Sequence, residues 1–103
     1  MSQFNAKIIT PHGEVFNEKV EAISAPGAEG SFGVLNLHTP MIVKLQKGIF
    51  SATSEGNKKY FILSGGVLEV NDAHNVMVLA DDSQTAADLA EAESMLKGEN
   101  KEA

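Results

Sequence analysis

The chain has 103 residues, 43% of them hydrophobic, a length that suits one domain with a modest core. It has no cysteine, which excludes disulfides, a thiolate metal site and a thiol nucleophile. The net charge is −6 and arginine is absent, which argues against a nucleic-acid partner and removes the bidentate clamp for phosphate or carboxylate.

The charge is uneven. Residues 1–80 carry seven acids against six lysines, whereas residues 81–103 carry seven acids against two. The first residues, Met1 to Lys7, lack the basic-then-apolar pattern of a secretory signal. No run approaches the ~20 apolar residues of a membrane span, so membrane association is expected only through a partner.

In chain order, Phe4, Ala6 and Ile8 alternate with polar neighbours, which is strand periodicity. Pro11-His12-Gly13 breaks that run, and Val15-Phe16 and Val20–Ser24 give two more short strands. Pro26–Gly30 reads as a glycine-rich turn, followed by an apolar stretch from Phe32 to Leu37 and a stop at Pro40. Met41–Leu45 and Gly48–Thr53 read as strands around Gln46-Lys47. Glu55-Gly56-Asn57-Lys58 signals a hairpin, and Tyr60–Leu63 is the strongest strand run. Gly65-Gly66 marks a bulge or bend before Val67–Val70, and Val76–Ala80 completes a second hairpin with the length of a buried strand. About eight to ten short strands with regular turn signals predict a sandwich or barrel. After Asp81 the pattern becomes helical: Thr85–Asp88 fits a capping box, Leu89, Ala92 and Leu96 share one stripe, and Gly98 is read as the stop.

Reactive groups are sparse. His12, His38 and His74 have no metal-ligand spacing, and His38 differs only in its apolar surroundings. No serine lies in a nucleophile elbow, and Gly27-Ala28-Glu29-Gly30 lacks the lysine and hydroxyl residue of a phosphate loop. Asp81-Asp82 suits the approach to a helix N-terminus, and the acidic tail reads as a solvated face. The residues therefore predict no catalytic, metal or cofactor site, and point to a binding or structural module.

Ordered motifs sharpen this. Ala25-Pro26-Gly27-Ala28-Glu29-Gly30-Ser31-Phe32-Gly33-Val34-Leu35, followed by His38-Thr39-Pro40-Met41, resembles the signature of F-type ATP synthase epsilon subunits, the delta subunit of mitochondria. Leu45-Gln46-Lys47-Gly48, Ser64–Val70 and Asn75–Ala80 resemble the next three elements of that family, in order, so the resemblance covers residues 4–82. It implies a mainly β fold: an N-terminal β-sandwich of about ten short strands over residues 1–82, then a helical part over residues 83–103. It also implies a non-catalytic role in the central stalk, with the gamma subunit and the c-ring as partners, at the cytoplasmic face of a bacterial inner membrane. By the same resemblance Glu29, Gly30 and Ser31 face the c-ring, and His38, Thr39 and Met41 face gamma.

Two departures from the family shape the expectation. Two long antiparallel helices follow the sandwich in that family, whereas residues 81–103 leave room for one short helix, so a form without strong inhibitory function is expected. Some members bind ATP through an (I/L)-D-x-x-R-A motif; Leu89–Ser94 lacks its aspartate, arginine and alanine, so no ATP binding is expected. The alternatives are a stand-alone β-sandwich interaction module and, more distantly, a small hydrolase using His38 and a serine.

Overall fold

The computed structural model describes residues 3–35 and 39–98. Among the described residues eight strands form in chain order: β1 (Phe4–Thr10), β2 (Gly13–Val20), β3 (Ala22–Gly27), β4 (Gly30–Leu35), β5 (Met41–Ser54), β6 (Asn57–Val70), β7 (Val76–Ala80) and β8 (Ser83–Ala86). One helix, α1 (Leu89–Gly98), follows. The period-2 reading holds well in β1, where Phe4, Ala6, Ile8 and Thr10 are buried and the residues between them are half-buried. The same alternation in β6 and β7 sends Leu68, Val70, Val76 and Val78 into one core with Phe50, Phe61 and Leu63. Phe61 meets Phe16 and Phe50 edge-to-face, with centroids 5.2 and 6.1 Å apart.

Strand order is β2-β1-β7-β6-β5-β3-β4, with β8 pairing β6 off this path. All pairs are antiparallel except β1 with β7. β5 and β6 are each 14 residues long and serve two layers. Residues 66–70 of β6 pair β7, which carries β1 and β2 in the first layer; residues 60–63 pair β8 in the second layer, which also holds β3 and β4. Residues 51–53 of β5 pair β3, which carries β4. Inward-facing buried residues of both layers belong to one cluster, so the layers face each other as a sandwich. Where the sequence suggests four short strands around Gln46-Lys47 and Gly65-Gly66, the chain makes one long hairpin that runs through both breaks.

The bend lies at Gln46 opposite Gly65, the one position skipped in an otherwise constant β5–β6 register. Gly65 and Gly66 have φ of 119° and 145°, values that L side chains rarely adopt. A Cβ on Gly66 would lie 2.1 Å from the Leu79 carbonyl oxygen, so β7 approaches the backbone directly there. The other end of the hairpin closes through Glu55 and Gly56, both at positive φ, the two-residue turn that suits strand twist.

The tail departs from expectation in register. Ser83–Ala86 is a strand, with Thr85 opposite Phe61, so Thr85 is not a helix cap. Burying Ala86 against Ile62 wins over the local capping pattern. Asp88 caps instead: its Oδ1 accepts from Glu91 N at 2.8 Å, while the Glu91 carboxylate accepts from Ala87 N. α1 docks through Ala92, Met95 and Leu96, an i, i+3, i+4 stripe, onto Ile49, Tyr60, Ile62 and Ala86 on the outer side of the second layer. Leu89, expected on that stripe, is 45% exposed.

Two substitutions test these features. Gly66→Ala is expected to lower stability by about 2–4 kcal/mol in urea unfolding, through backbone strain and the Leu79 clash. Asp88→Ala is expected to remove about 1 kcal/mol and to fray the first turn of α1, read as lost helical circular dichroism.

Candidate protein-binding surfaces

The β3–β4 hairpin closes through Ala28 and Glu29, with Gly27 opposite Gly30. Pro26 and Gly27 are buried, while Ala28, Glu29, Gly30 and Ser31 are exposed. The tip is anchored, because Ala28 N donates to the Lys44 carbonyl at 2.9 Å and Gly27 registers with Leu45. A cleft of about 610 Å³ opens beside it, lined by Glu29, Gly30, Ser31 and Phe32 on one side and Met41 and Lys44 on the other. Of the residues singled out in the sequence, the fold thus brings Glu29, Gly30, Ser31 and Met41 to one cleft. Met41 is half-buried against the core and Thr39 is exposed. His38 lies outside the described residues. His12 sits exposed in the β1–β2 turn, and His74 occupies the β6–β7 turn at φ 62°. Among the described residues no group of three or more His, Asp or Glu side chains could hold a metal ion.

A second surface has no counterpart in the sequence reading. The outward side of the first layer presents two rows across five strands, with β7 in the middle. One row runs Glu14, Ile9, Leu79, Val67, Lys44; the other runs Asn17, Lys7, Met77, Glu69, Ile42. Leu79 is 53% and Ile42 71% exposed, and Val67 is exposed beside them. An apolar centre of Ile9, Leu79, Val67 and Met77 is therefore bracketed by Lys7, Glu14, Lys44 and Glu69. Such an arrangement of apolar core and charged rim is the anatomy of a protein-binding face. Its signal in the sequence is Val76–Ala80, which is apolar at both alternations although only Val76, Val78 and Ala80 reach the core.

The seam between β2 and β8 is closed differently. Lys59 spans it from β6, its ammonium 2.5 Å from the Glu18 carboxylate and 5.9 Å from the centre of the Phe16 ring.

This sandwich has known relatives. The model of the family described as ATP synthase, Delta/Epsilon chain, beta-sandwich domain matches residues 3–86. The chain belongs to this family. The epsilon chain of Rhodopseudomonas palustris (strain TIE-1) is 37% identical over 89 residues, covering 86% of this chain and 65% of that one. The epsilon chain of Carboxydothermus hydrogenoformans is 40% identical over 83 residues, covering 81% and 61%. The chain thus spans about two thirds or less of the length of these relatives. Among solved structures, a chain of the Euglena gracilis mitochondrial ATP synthase (OSCP/F1/c-ring) superposes with a TM-score of 0.77 at 27% identity, covering 98% of this chain and 69% of that one. A chain of the Tetrahymena thermophila mitochondrial ATP synthase central stalk and c-ring shares the fold, at 16% identity and a TM-score of 0.69.

Within the epsilon family sandwich, the seam offers a direct test. Lys59→Ala is expected to cost about 0.5–1 kcal/mol, since the pair is half-exposed and solvent-screened. Repeating the urea titration at 1 M salt should shrink the difference, and an unchanged difference would assign the effect to packing on Phe16.

Proposed function

We propose that the chain is a non-catalytic subunit of the central stalk of a proton-translocating F-type ATP synthase, passing c-ring rotation to the gamma subunit. The observation that carries this reading is the family match over residues 3–86, which takes in every strand of the sandwich. Central-stalk and c-ring assemblies are also where the fold recurs among solved structures. On this reading the complex lies at the cytoplasmic face of a bacterial inner membrane. Among the described residues no helix is long and apolar enough to cross a membrane, and attachment would run through the partners.

The proposed c-ring contact is the anchored β3–β4 tip, with Glu29, Gly30 and Ser31. A turn stapled to β5 through Ala28 N and the Lys44 carbonyl holds an exposed carboxylate in a fixed place, where it can pair with basic or amide groups of ring loops. The proposed gamma contact begins at His38, Thr39 and Met41 and extends onto the outward face at Ile42. Burying Ile42 and its apolar neighbours gives affinity, and the charged rim gives register. Torque needs a stiff coupler, and a close-packed sandwich transmits strain with little compliance. No bond is made or broken by the subunit, and no ATP or other cofactor is bound.

Co-purification tests this. The tagged chain, expressed with the other synthase subunits of its source, is expected to retain gamma in detergent extract and to bring down the c-ring. Glu29→Lys is expected to weaken c-ring retention about tenfold with gamma unaffected, as expected for reversal of a single interfacial charge. Recovery of neither partner would sink the reading.

A further inference from the structure

The outward face of the first layer has a symmetry of its own. β7 is the middle of its five strands, with β1 and β6 on either side and β2 and β5 beyond them. A two-fold axis laid along β7, in the plane of the face, would place β1 of one copy over β6 of another and β2 over β5. The side chains then meet as opposites. Lys7 of one copy faces Glu69 of the other, and Glu14 faces Lys44, each contact occurring twice by symmetry. Ile9 faces Val67, Leu79 and Met77 each meet their own counterpart on the axis, and at the margin Ile42 faces Asn17.

We infer that this face is self-complementary and that the free chain forms a two-fold dimer through it. Three observations carry the inference. Leu79, at the centre, is 53% exposed, and an apolar group there is favourable to cover. The charges are arranged antisymmetrically about β7: within one chain Lys7 Nζ already lies 3.8 Å from the Glu14 carboxylate, so the two copies add the complementary Lys44 and Glu69. Two twisted layers also pack face to face with strands nearly aligned, which is the strand relation this axis generates. Five strands span only about 19 Å at ~4.8 Å spacing. The contact is thus at the small end of specific interfaces, and dissociation is expected at roughly 10–100 µM. The inference does not rest on the stalk reading; a stalk partner using the same face would compete with the second copy.

Sedimentation velocity of the whole chain from about 5 to 500 µM, which brackets the expected constant, tests the dimer. A concentration-dependent shift from monomer to dimer is expected. Leu79→Glu, which sets two carboxylates against each other on the axis, is expected to raise the dissociation constant more than tenfold with unchanged circular dichroism. Lys7→Glu and Glu69→Lys are each expected to weaken the dimer about tenfold, and the double variant to recover to within about threefold of the parent. A monomer at every concentration, a dimer indifferent to Leu79→Glu, or a double variant no tighter than the single ones would overturn the inference.

Discussion

The architecture depends on one bend. β5 and β6 form a hairpin of constant register over 14 residues each, too long to lie flat in a single small layer. At Gln46 opposite Gly65 the pairing is skipped, and on the far side β6 exchanges one neighbour, β8, for another, β7. Only backbone without Cβ fits: Gly66 stands where any side-chain carbon would meet the Leu79 carbonyl at 2.1 Å. Straightening the hairpin would part the two layers and open the core that Phe50, Phe61, Leu63 and Leu68 share. Both proposed binding surfaces start from this element. The tip of β3 is stapled to Lys44 of β5 just before the bend, and the outward face is built on that same segment and on the residues of β6 and β7 paired beside it.

The bend also explains the unequal treatment of the two outer sides. On the second layer, Ile49, Tyr60 and Ile62 point outward and are covered by α1 through Ala92, Met95 and Leu96. On the first layer, Ile42, Val67 and Leu79 point outward, and no element among the described residues covers them. Among the described residues, one of the two apolar outer sides is thus closed internally and the other is left open. The charged rim of Lys7, Glu14, Lys44 and Glu69 keeps that open side soluble while restricting what can sit on it.

Much of this was legible in the sequence. Alternation in Phe4–Thr10, the turn at Glu55-Gly56 and the punctuation at Gly65-Gly66 marked the strands and the bend. The ordered glycine motifs marked the family. What could not be read has physical causes. Whether Gly65-Gly66 ends a strand or bends it depends on the pairing of β7 and β8, which is non-local. Thr85 satisfied a local capping pattern that a four-residue pairing with β6 overrode, moving the helix start to Asp88. The outward face was hidden because a strand apolar on both sides, as Val76–Ala80 is, reads as buried when it lies next to an unknown partner. The tip residues Glu29, Gly30 and Ser31 and the strand residue Met41 were separable in sequence; sharing a cleft is a product of the Ala28–Lys44 anchor.

The same features bear on how such a subunit avoids wrong associations. Each described strand edge meets the problem differently. β2 carries Glu14, Glu18 and Lys19, and the Lys59–Glu18 pair ties it to β6 across the seam. β8 is only four residues long. β4 carries no charge, but it leads directly from the anchored tip, where the proposed ring contact would lie. On the proposed readings, association is steered away from edges and towards the β5–β6–β7 face, where a charge pattern antisymmetric about β7 would select between partners by geometry rather than by strength. A face that admits both its own copy and, on the proposed reading, a stalk surface would keep the free subunit covered. It would release the subunit only to a partner that binds more tightly than the weak dimer.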